Sequence, residues 1–229
     1  MDLDGYRVPL PRRFWRTPAP PPGELSVHAV PVAAALPLLD GGVRHLGEAE
    51  LRQATRPAAP ATQQLRLASH LLLRRLLAER LRVADSALVF TRAAGRLHLR
   101  TAGEIVPVPQ FSLSRSSGLI AVAISPEGVG VDVEDLQTPA EARLLLATLH
   151  ESDQRRLSRL PGPLQARAVT AAWTRKEAGL KALGTGLNRD PARDRTGSRR
   201  RPLGPPGVQV AQLTLPRPRR VELAVAWRG

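Results

Sequence analysis

The sequence predicts an α+β fold, because stretches typical of strands and stretches typical of helices occur in the same order twice along the chain. In each half a strand comes before a long helix, and further strands come after it. Hydrophobic residues make up 42% of the 229 residues, which suffices for a core, whereas aromatic residues make up 3%. The core is therefore expected to consist of leucine, valine and alanine.

The first half is predicted to begin with a strand at residues 25–32 and a short helix at residues 47–56. Residues 63–82 follow as a long helix, since leucines recur along them at helical spacing. Short strands are expected at residues 87–90 and 97–99. This half therefore offers one long helix to cover a small sheet.

The second half is predicted to open with strands at residues 119–124 and 129–134, which a Ser-Pro-Glu-Gly turn connects. Two helices with a break near residues 148–152 come next. Residues 164–183 contain no proline and consist of good helix formers, so a long helix is expected there. Two closing strands end the chain.

Two segments lack hydrophobic periodicity, and they indicate which parts of the chain lie outside the two expected subdomain cores. Residues 1–23 are rich in proline and arginine and are expected to form a mostly disordered arm. Residues 188–207 have a similar composition and are expected to form a flexible basic loop. We therefore expect an N-terminal subdomain at residues 24–117 and a C-terminal subdomain at residues 118–229.

Composition narrows the classes of function. The formal net charge of +14 indicates an anionic partner, which could be a nucleic acid, a phosphate cofactor or an acidic protein. The chain has no cysteine, so disulfides and a thiolate zinc site are excluded. No apolar run approaches membrane-spanning length, and the first residues lack the apolar segment of a secretion signal. We therefore expect a cytoplasmic protein that does not act at a membrane.

The strand at residues 129–134 carries acidic groups on one face. Valine occupies its odd positions, and Gly130, Asp132 and Glu134 occupy its even positions. Gly130 is expected to leave open space beside the acids. Two carboxylates about 7 Å apart repel each other unless a cation lies between them, and magnesium accepts such ligands together with substrate phosphates. A half-exposed edge strand with solvated acids is the alternative.

The predicted helix at residues 164–183 aligns three further side chains. Trp173, Glu177 and Lys181 are spaced four residues apart and lie on one stripe. Lys176 and Lys181 are the two lysines among 34 basic residues, and lysine can lose or transfer a proton, which arginine effectively cannot. This pattern favours a chemical role, although a surface Glu–Lys pair would have the same spacing.

The two motifs together carry a resemblance to a known family. Residues 130–134 read Gly-Val-Asp-Val-Glu, and residues 173–187 read Trp-Thr-Arg-Lys-Glu-Ala-Gly-Leu-Lys-Ala-Leu-Gly-Thr-Gly-Leu. In this order and spacing they resemble the signature of the 4'-phosphopantetheinyl transferases, and the length resembles the surfactin-synthetase-type branch. The resemblance covers roughly residues 64–187. It implies a pseudo-dimer of two similar α/β subdomains with the active site at their interface.

The resemblance also implies roles for individual residues. Magnesium would be held by Asp132, Glu134 and Glu177, and the catalytic residues would be Glu177, as the base, and Lys181. The element at residues 111–116 resembles Phe-Asn-Ile-Ser-His-Ser of the family, with Arg115 where the family has histidine. The residues implied to bind the cofactor are Arg74, Gly95, Arg96, Ser114, Arg115, Lys176 and Lys181.

The function implied by the resemblance is the transfer of the 4'-phosphopantetheine arm of coenzyme A to a serine of an apo acyl or peptidyl carrier protein. The other product would be 3',5'-ADP, and the reaction would depend on Mg²⁺. A monomer that binds no nucleic acid is expected. Two alternatives stay open: a basic nucleic-acid-binding protein, for which few aromatic residues are available to stack on bases, and an inactive relative that only binds coenzyme A.

Overall fold

A computed structural model of the chain describes residues 4–9, 24–93, 96–101, 109–215 and 220–229. The first sheet is antiparallel and consists of β1 (Ser26–Pro31), β4 (Gln110–Arg115) and β5 (Leu119–Ser125). Its strand order is β1-β5-β4, so β5 is the central strand. A separate hairpin consists of β2 (Leu88–Ala93) and β3 (Arg96–Thr101).

The second sheet has the same strand order as the first. It is antiparallel and consists of β6 (Val129–Asp135), β7 (Val208–Leu213) and β8 (Val221–Arg228), in the order β6-β8-β7. In both sheets the first strand along the chain pairs with the last one, which lies in the centre. The α+β class is thereby confirmed, and the two-fold relation between the halves stays a prediction.

The helices between these strands include the two long ones that the sequence predicts. Among the described residues the α-helices are α1 (Val32–Ala35), α2 (Leu39–Gly42), α3 (Glu48–Ala54), α4 (Pro60–Leu81), α5 (Pro139–Thr148), α6 (Glu151–Leu157) and α7 (Gly162–Leu183). Helix α7 ends where Gly184 adopts a left-handed conformation with φ of 80°. Within the described residues, no helix is long and apolar enough to cross a membrane.

The layers follow from the alternation of side chains along the strands. In β5, Ile120, Val122 and Ile124 contribute to a core with α4, whereas Leu119, Ala121 and Ala123 face the core that the second sheet shares. The second sheet in turn packs its other face on α7. The order of layers is therefore α4, first sheet, second sheet, α7.

The central position of β5 bears on the predicted boundary between the two halves. The predicted boundary between residues 117 and 118 assigns the apolar run at residues 119–124 to the C-terminal half. Every residue of β5 is buried, because the strand lies between β1 and β4 in the first sheet. β5 therefore belongs to the same sheet as β1 and β4, and the division of the chain into two subdomains stays a prediction.

The predicted N-terminal arm is ordered where the structure describes it. Val8 is 4% exposed, and its backbone N donates a hydrogen bond of 2.8 Å to the carbonyl of Val27 in β1. Residues 4–9 therefore pack along the first sheet. Residues 1–3 and 10–23 of the predicted arm lie outside the described residues.

Residues 188–207 pack on α6 and α7, which corrects the flexible loop that their composition predicts. Asp194 and Thr196 are buried. Lys176 Nζ donates to the carbonyl of Asp194, and Arg175 Nε donates to that of Thr196 at 3.1 Å. Composition is misleading here because buried cations of the helix, rather than apolar side chains of the segment, hold the segment in place.

Gly130 brings β6 and α7 close together, which corrects the open space that we expect beside it. A Cβ atom added at Gly130 would lie 2.0 Å from the carbonyl oxygen of Ala178 and 2.5 Å from the backbone N of Ala182. Backbone atoms in the middle of a packed helix cannot move away to relieve such a contact. A side chain at residue 130 is therefore incompatible with the position of α7.

The substitution Gly130→Ala is expected to lower the free energy of unfolding by at least about 2 kcal/mol, because overpacking forces the backbone apart. Chemical denaturation measures this loss. Gly162→Ala is the matched control, since a Cβ atom at Gly162, in the first turn of α7, meets nothing within 4 Å. Equal stability of the two variants would contradict the close approach of β6 and α7.

Candidate active site

Hydroxyl groups of β4 and of the turn after it connect the two sheets. Ser112 Oγ accepts a hydrogen bond of 3.0 Å from the backbone N of Val131 in β6. Ser117 donates to both carboxylate oxygens of Asp135, through its backbone N at 2.8 Å and its Oγ at 3.0 Å. Between these contacts Ser114 Oγ donates to Oδ1 of Asp132 at 2.8 Å. The acidic strand is therefore fixed from the side of the first sheet.

Asp132 and Lys181 form the centre of the site. Lys181 Nζ donates to Asp132 Oδ1 at 2.6 Å and to Ser114 Oγ and the carbonyl of Val131 at 3.2 Å each. Asp132 is 2% exposed, and its other oxygen, Oδ2, is buried and has no hydrogen-bond partner among the described residues. A buried carboxylate oxygen without a partner is costly, so Oδ2 is a strong candidate for contact with a ligand.

Two glutamates complete the acidic group. Burial and the charges of Asp132, Glu177 and Asp135 raise the pKa of Glu134 from 4.5 to about 7, although Lys181 opposes the shift. Burial and Asp132 also raise the pKa of Glu177, again against Lys181. Burial is thus the main cause of both shifts, and the neighbouring carboxylates add to it.

This acidic group fits a hard divalent cation in part. Within the described residues, no three or more His, Cys, Asp and Glu side chains form a group that could hold a metal ion by themselves. Among the described residues, however, Oδ2 of Asp132 has no hydrogen-bond partner, and burial and neighbouring carboxylates raise the pKa values of Glu134 and Glu177, so a cation would compensate these oxygens. Mg²⁺ requires only one or two carboxylates when phosphate oxygens and water complete its shell.

A cavity of about 260 Å³ adjoins Lys181 on the side of the first sheet. Burial and the charges of Arg115 and Arg74 lower the pKa of His70 to about 4, so this imidazole is neutral at pH 7. Both of its ring nitrogens are buried and have no hydrogen-bond partner in the part of the chain that the structure describes. The cavity is lined by Gln53, His70, Leu73, Leu97, Phe111, Ser112, Leu113, Arg115 and Lys181.

The charge of this cavity is positive. Burial and then the charge of Arg66 lower the pKa of Arg115. Arg115 thus lies in the cavity with Lys181, and its predicted role in cofactor binding stays a prediction. The cavity therefore suits an anionic ligand, with apolar contacts from Leu97 and Phe111.

Arg74 does not line this cavity, in contrast to its predicted role in cofactor binding. Its guanidinium is 3% exposed, forms an ion pair with Glu50 and donates to the carbonyls of Asp85 and Leu88. It also lies 5.1 Å from the ring centre of Phe90. Arg74 is therefore held by α3 and β2, and His70, one turn earlier on α4, occupies the position in the cavity.

Lys176 does not line this cavity either, although the sequence predicts a role in cofactor binding for it. Its side chain is 2% exposed and donates to the carbonyl of Asp194, on a different face of α7 from Glu177 and Lys181. Gly95 lies outside the described residues, and of Arg96 only the backbone, in β3, is described. Gln53 and Ser112 line the cavity although the sequence analysis does not identify them, because single polar residues carry no periodic signal.

The site and the fold define a class of protein: an α+β protein of two stacked sheets with an acidic group and a basic cavity that share one lysine. A model of the 4'-phosphopantetheinyl transferase superfamily matches residues 128–222, which include the acidic strand and all of α7. The chain is 29% identical over 158 residues to a protein of Synechocystis sp. named "Putative 4'-phosphopantetheinyl transferase". The aligned region covers 66% of this chain and 62% of the length of that relative.

These similarities confirm the resemblance to the 4'-phosphopantetheinyl transferase superfamily. The matched residues contain Asp132, Glu134, Glu177 and Lys181, the four residues that the structure brings together. The surfactin-synthetase-type branch within the superfamily stays a prediction.

Glu134→Gln is expected to stabilise the metal-free protein at pH 8 but not at pH 4. The folded protein keeps the proton of Glu134 up to about pH 7, whereas the ordinary pKa is 4.5. Ionisation of this group therefore lowers the free energy of unfolding as the pH rises from 4.5 to about 7. We expect a gain of about 1–2 kcal/mol at pH 8, reduced from the full linkage because Glu134 is partly exposed. Denaturation in a chelator measures it.

The control for this measurement is Glu151→Gln, since Glu151 is exposed on α6. The difference between this variant and the unsubstituted protein is expected to be small at both pH values. A Glu134→Gln variant with unchanged stability at pH 8 would contradict the raised pKa of Glu134.

Proposed function

We propose that the protein transfers the 4'-phosphopantetheine arm of coenzyme A to a serine hydroxyl of an apo acyl or peptidyl carrier protein. The observation that carries this proposal is the position of Lys181, which contacts Asp132 in the acidic group and lines the basic cavity. Phosphoryl transfer requires that combination: positive charge for the phosphates of the substrate, and carboxylates for a cation and a proton.

The proposed reaction exchanges one phosphorus–oxygen bond for another. The serine oxygen bonds to the phosphorus that carries the arm, the bond from this phosphorus to the bridging oxygen of the pyrophosphate breaks, and 3',5'-ADP leaves with that oxygen. Glu177 is the candidate base that takes the serine proton, directly or through a water. Its raised pKa suits a group that must accept a proton near neutral pH.

Lys181 is proposed to stabilise the leaving group. Negative charge grows on the departing phosphate, and an ammonium group can approach it as a compact charge that also donates hydrogen bonds. In the structure its Nζ already has three acceptors, of which Asp132 Oδ1 is the nearest at 2.6 Å. These contacts orient the side chain before the substrate arrives.

The basic cavity is the proposed site for the phosphates of coenzyme A. Arg115 offers a planar fork of donors, and a neutral His70 offers one N–H donor, which has no acceptor among the residues described. This places His70 in the role that the sequence analysis assigns to Arg74. Arg96, whose side chain is not described, stays a candidate.

Magnesium is the proposed cofactor, with Asp132, Glu134 and Glu177 as the residues that would hold it. When bound, it would neutralise the pyrophosphate and compensate the repulsion among these carboxylates. The net charge of +14 suits an acidic carrier protein. The monomeric state, the cytoplasmic location and the absence of nucleic acid as a partner stay predictions.

The proposed function is tested by mass spectrometry of apo carrier proteins incubated with the protein, coenzyme A and Mg²⁺. We expect a gain of one phosphopantetheine arm on the carrier protein, and we expect Glu177→Gln to abolish it while the thermal transition remains cooperative. Glu151→Gln is the control and is expected to remain active. Binding of coenzyme A without transfer would identify an inactive relative, and salt-resistant binding of RNA would favour the nucleic-acid alternative.

Lys181→Arg is expected to lower kcat at least about tenfold, because arginine keeps the charge but cannot approach as a point charge or give up a proton. The KM for coenzyme A is expected to change little if Lys181 acts mainly in the transition state. Steady-state kinetics measure both constants. Arg167→Lys is the control, since Arg167 is an exposed cation on the same helix that pairs with Glu222. Unchanged kcat in Lys181→Arg would refute the role in leaving-group stabilisation.

A further inference from the structure

We propose that an arginine-rich surface beside α6 and the first turns of α7 binds an acidic polypeptide segment that also carries an apolar residue. This surface, called the arginine surface below, is distinct from the basic cavity, because none of its arginines lines that cavity. The inference is independent of the proposed transfer reaction. The arginine surface consists of Arg156 of α6, Arg167 of α7, and Arg199, Arg200 and Arg201 of the segment at residues 188–207.

Two buried carboxylates hold three of these guanidinium groups in place. Glu222 of β8 is 2% exposed and accepts hydrogen bonds from Arg167 at 2.9 Å and from Arg199 at 3.2 Å. Asp153 of α6 is also 2% exposed and accepts from Arg156 at 2.8 Å. The three arginine side chains nevertheless remain 55%, 45% and 40% exposed, respectively. Each guanidinium has five N–H donors, so each keeps donors for an anion that arrives from outside.

A closed turn presents the remaining two arginines. The backbone N of Ser198 donates to the carbonyl of Arg201 at 3.0 Å, and the backbone N of Arg201 donates to the carbonyl of Ser198 at 3.1 Å. Gly197, which pairs with Pro202, has φ of 64°, and a Cβ atom there would lie 2.2 Å from the carbonyl oxygen of Arg201. Glycine is therefore required to close the turn. Because the main chain at Arg200 and Arg201 is already fixed, binding a partner there costs little main-chain entropy.

The charge of the arginine surface is positive. Burial and then the charge of Arg156 lower the pKa of Arg175, which lies beneath the surface, from 12.5 to about 10. Arg199 adds to this shift, whereas the carboxylates of Asp153 and Glu222 oppose it. An anion bound at the surface would act on Arg175 in the same direction as these two carboxylates.

The side chains around the turn indicate the class of partner. Planar guanidinium groups form two-point contacts with carboxylates and phosphates. Leu203 is 43% exposed and adjoins the turn, since a Cβ atom at Gly197 would lie 2.9 Å from its side chain. The arginine surface contains no aromatic side chain on which the bases of a nucleic acid could stack. A polypeptide with several carboxylates and one apolar residue therefore matches this surface better than a nucleic acid does.

The test measures the fluorescence anisotropy of a fluorescein-labelled peptide of aspartate and glutamate with a central leucine, titrated with the full chain at physiological ionic strength. We expect the double variant Arg200→Gln, Arg201→Gln to raise the Kd at least about fivefold, because each charge removed weakens an ion pair with the peptide. Both side chains are exposed and form no ion pair within the part of the chain that the structure describes, so the thermal transition is expected to remain unchanged.

The matched control is the double variant Arg52→Gln, Arg75→Gln, which removes the same charge from exposed arginines of α3 and α4. We expect it to raise the Kd less than about twofold, since charges far from the peptide are screened. Leu203→Ser is expected to raise the Kd about threefold for this peptide, but not for the same peptide with serine in place of leucine.

Four results would overturn the inference. Absence of peptide binding by the unsubstituted protein would refute the surface directly. An unchanged Kd in the Arg200→Gln, Arg201→Gln variant would show that the peptide binds elsewhere, such as in the basic cavity. An equal loss of affinity in the control variant would show a response to net charge alone. Tighter binding of a mixed-sequence RNA that the Arg200→Gln, Arg201→Gln variant weakens would assign the surface to nucleic acid. All four leave the proposed transfer reaction intact, because transfer is measured separately on the carrier protein.

Discussion

The contact between β6 and α7 at Gly130 is the constraint on which the candidate site depends. Because residue 130 has no side chain, the backbone of α7 at Ala178 and Ala182 comes into contact with the strand. Lys181 lies in that same turn of the helix, and its side chain reaches Asp132 on the strand. A larger separation of the two elements would take Lys181 and Glu177 away from the carboxylates of β6. The glycine of the Gly-Val-Asp-Val-Glu motif is therefore part of the geometry of the site, although it contributes no functional group.

The site consists of two adjoining regions: an acidic one, which lacks compensating positive charge, and a basic one, which lacks compensating negative charge. On the acidic side the pKa values of Glu134 and Glu177 are raised, and on the basic side those of His70 and Arg115 are lowered. Each region is under electrostatic stress that a ligand of the opposite sign would relieve. The ligands proposed above, a molecule with several phosphates and a divalent cation, would together relieve both regions, which neither an anion nor a cation alone would do.

The sequence predicts the parts of the site that depend on periodicity. Alternation along β6 predicts that the valines are buried and that Asp132 and Glu134 share a face, and helical spacing predicts that Glu177 and Lys181 lie together. The sequence does not predict which of two neighbouring residues on a helix lines the cavity, because a tertiary contact determines it. His70 and Arg74 lie one turn apart on α4, and only the pairing of Arg74 with Glu50 from α3 leaves the cavity to His70.

Tertiary contacts also explain the other differences between the structure predicted from the sequence and the structure observed. Lys176 and Lys181 are equally unusual in an arginine-rich chain, and their roles separate only because residues 188–207 cover the side of α7 that carries Lys176. The place of β5 in the first sheet depends on its pairing with β1, which joins residues almost a hundred positions apart. Local patterns contain no information about such pairings.

The segment at residues 188–207 is attached mainly through its main chain. The carbonyls of Asp194, Thr196 and Gly197 accept hydrogen bonds from Lys176, Arg175 and Arg156 of the helices beneath them. A carbonyl group is the same in every residue type, so these attachments do not depend on the side chains of the segment. Its outward-facing positions, among them Arg193, Arg195 and Arg200, can therefore be substituted while the segment stays packed on α7. Substitutions on this outer surface can therefore change its chemistry without disturbing the candidate site, which lies on a different face of the same helix.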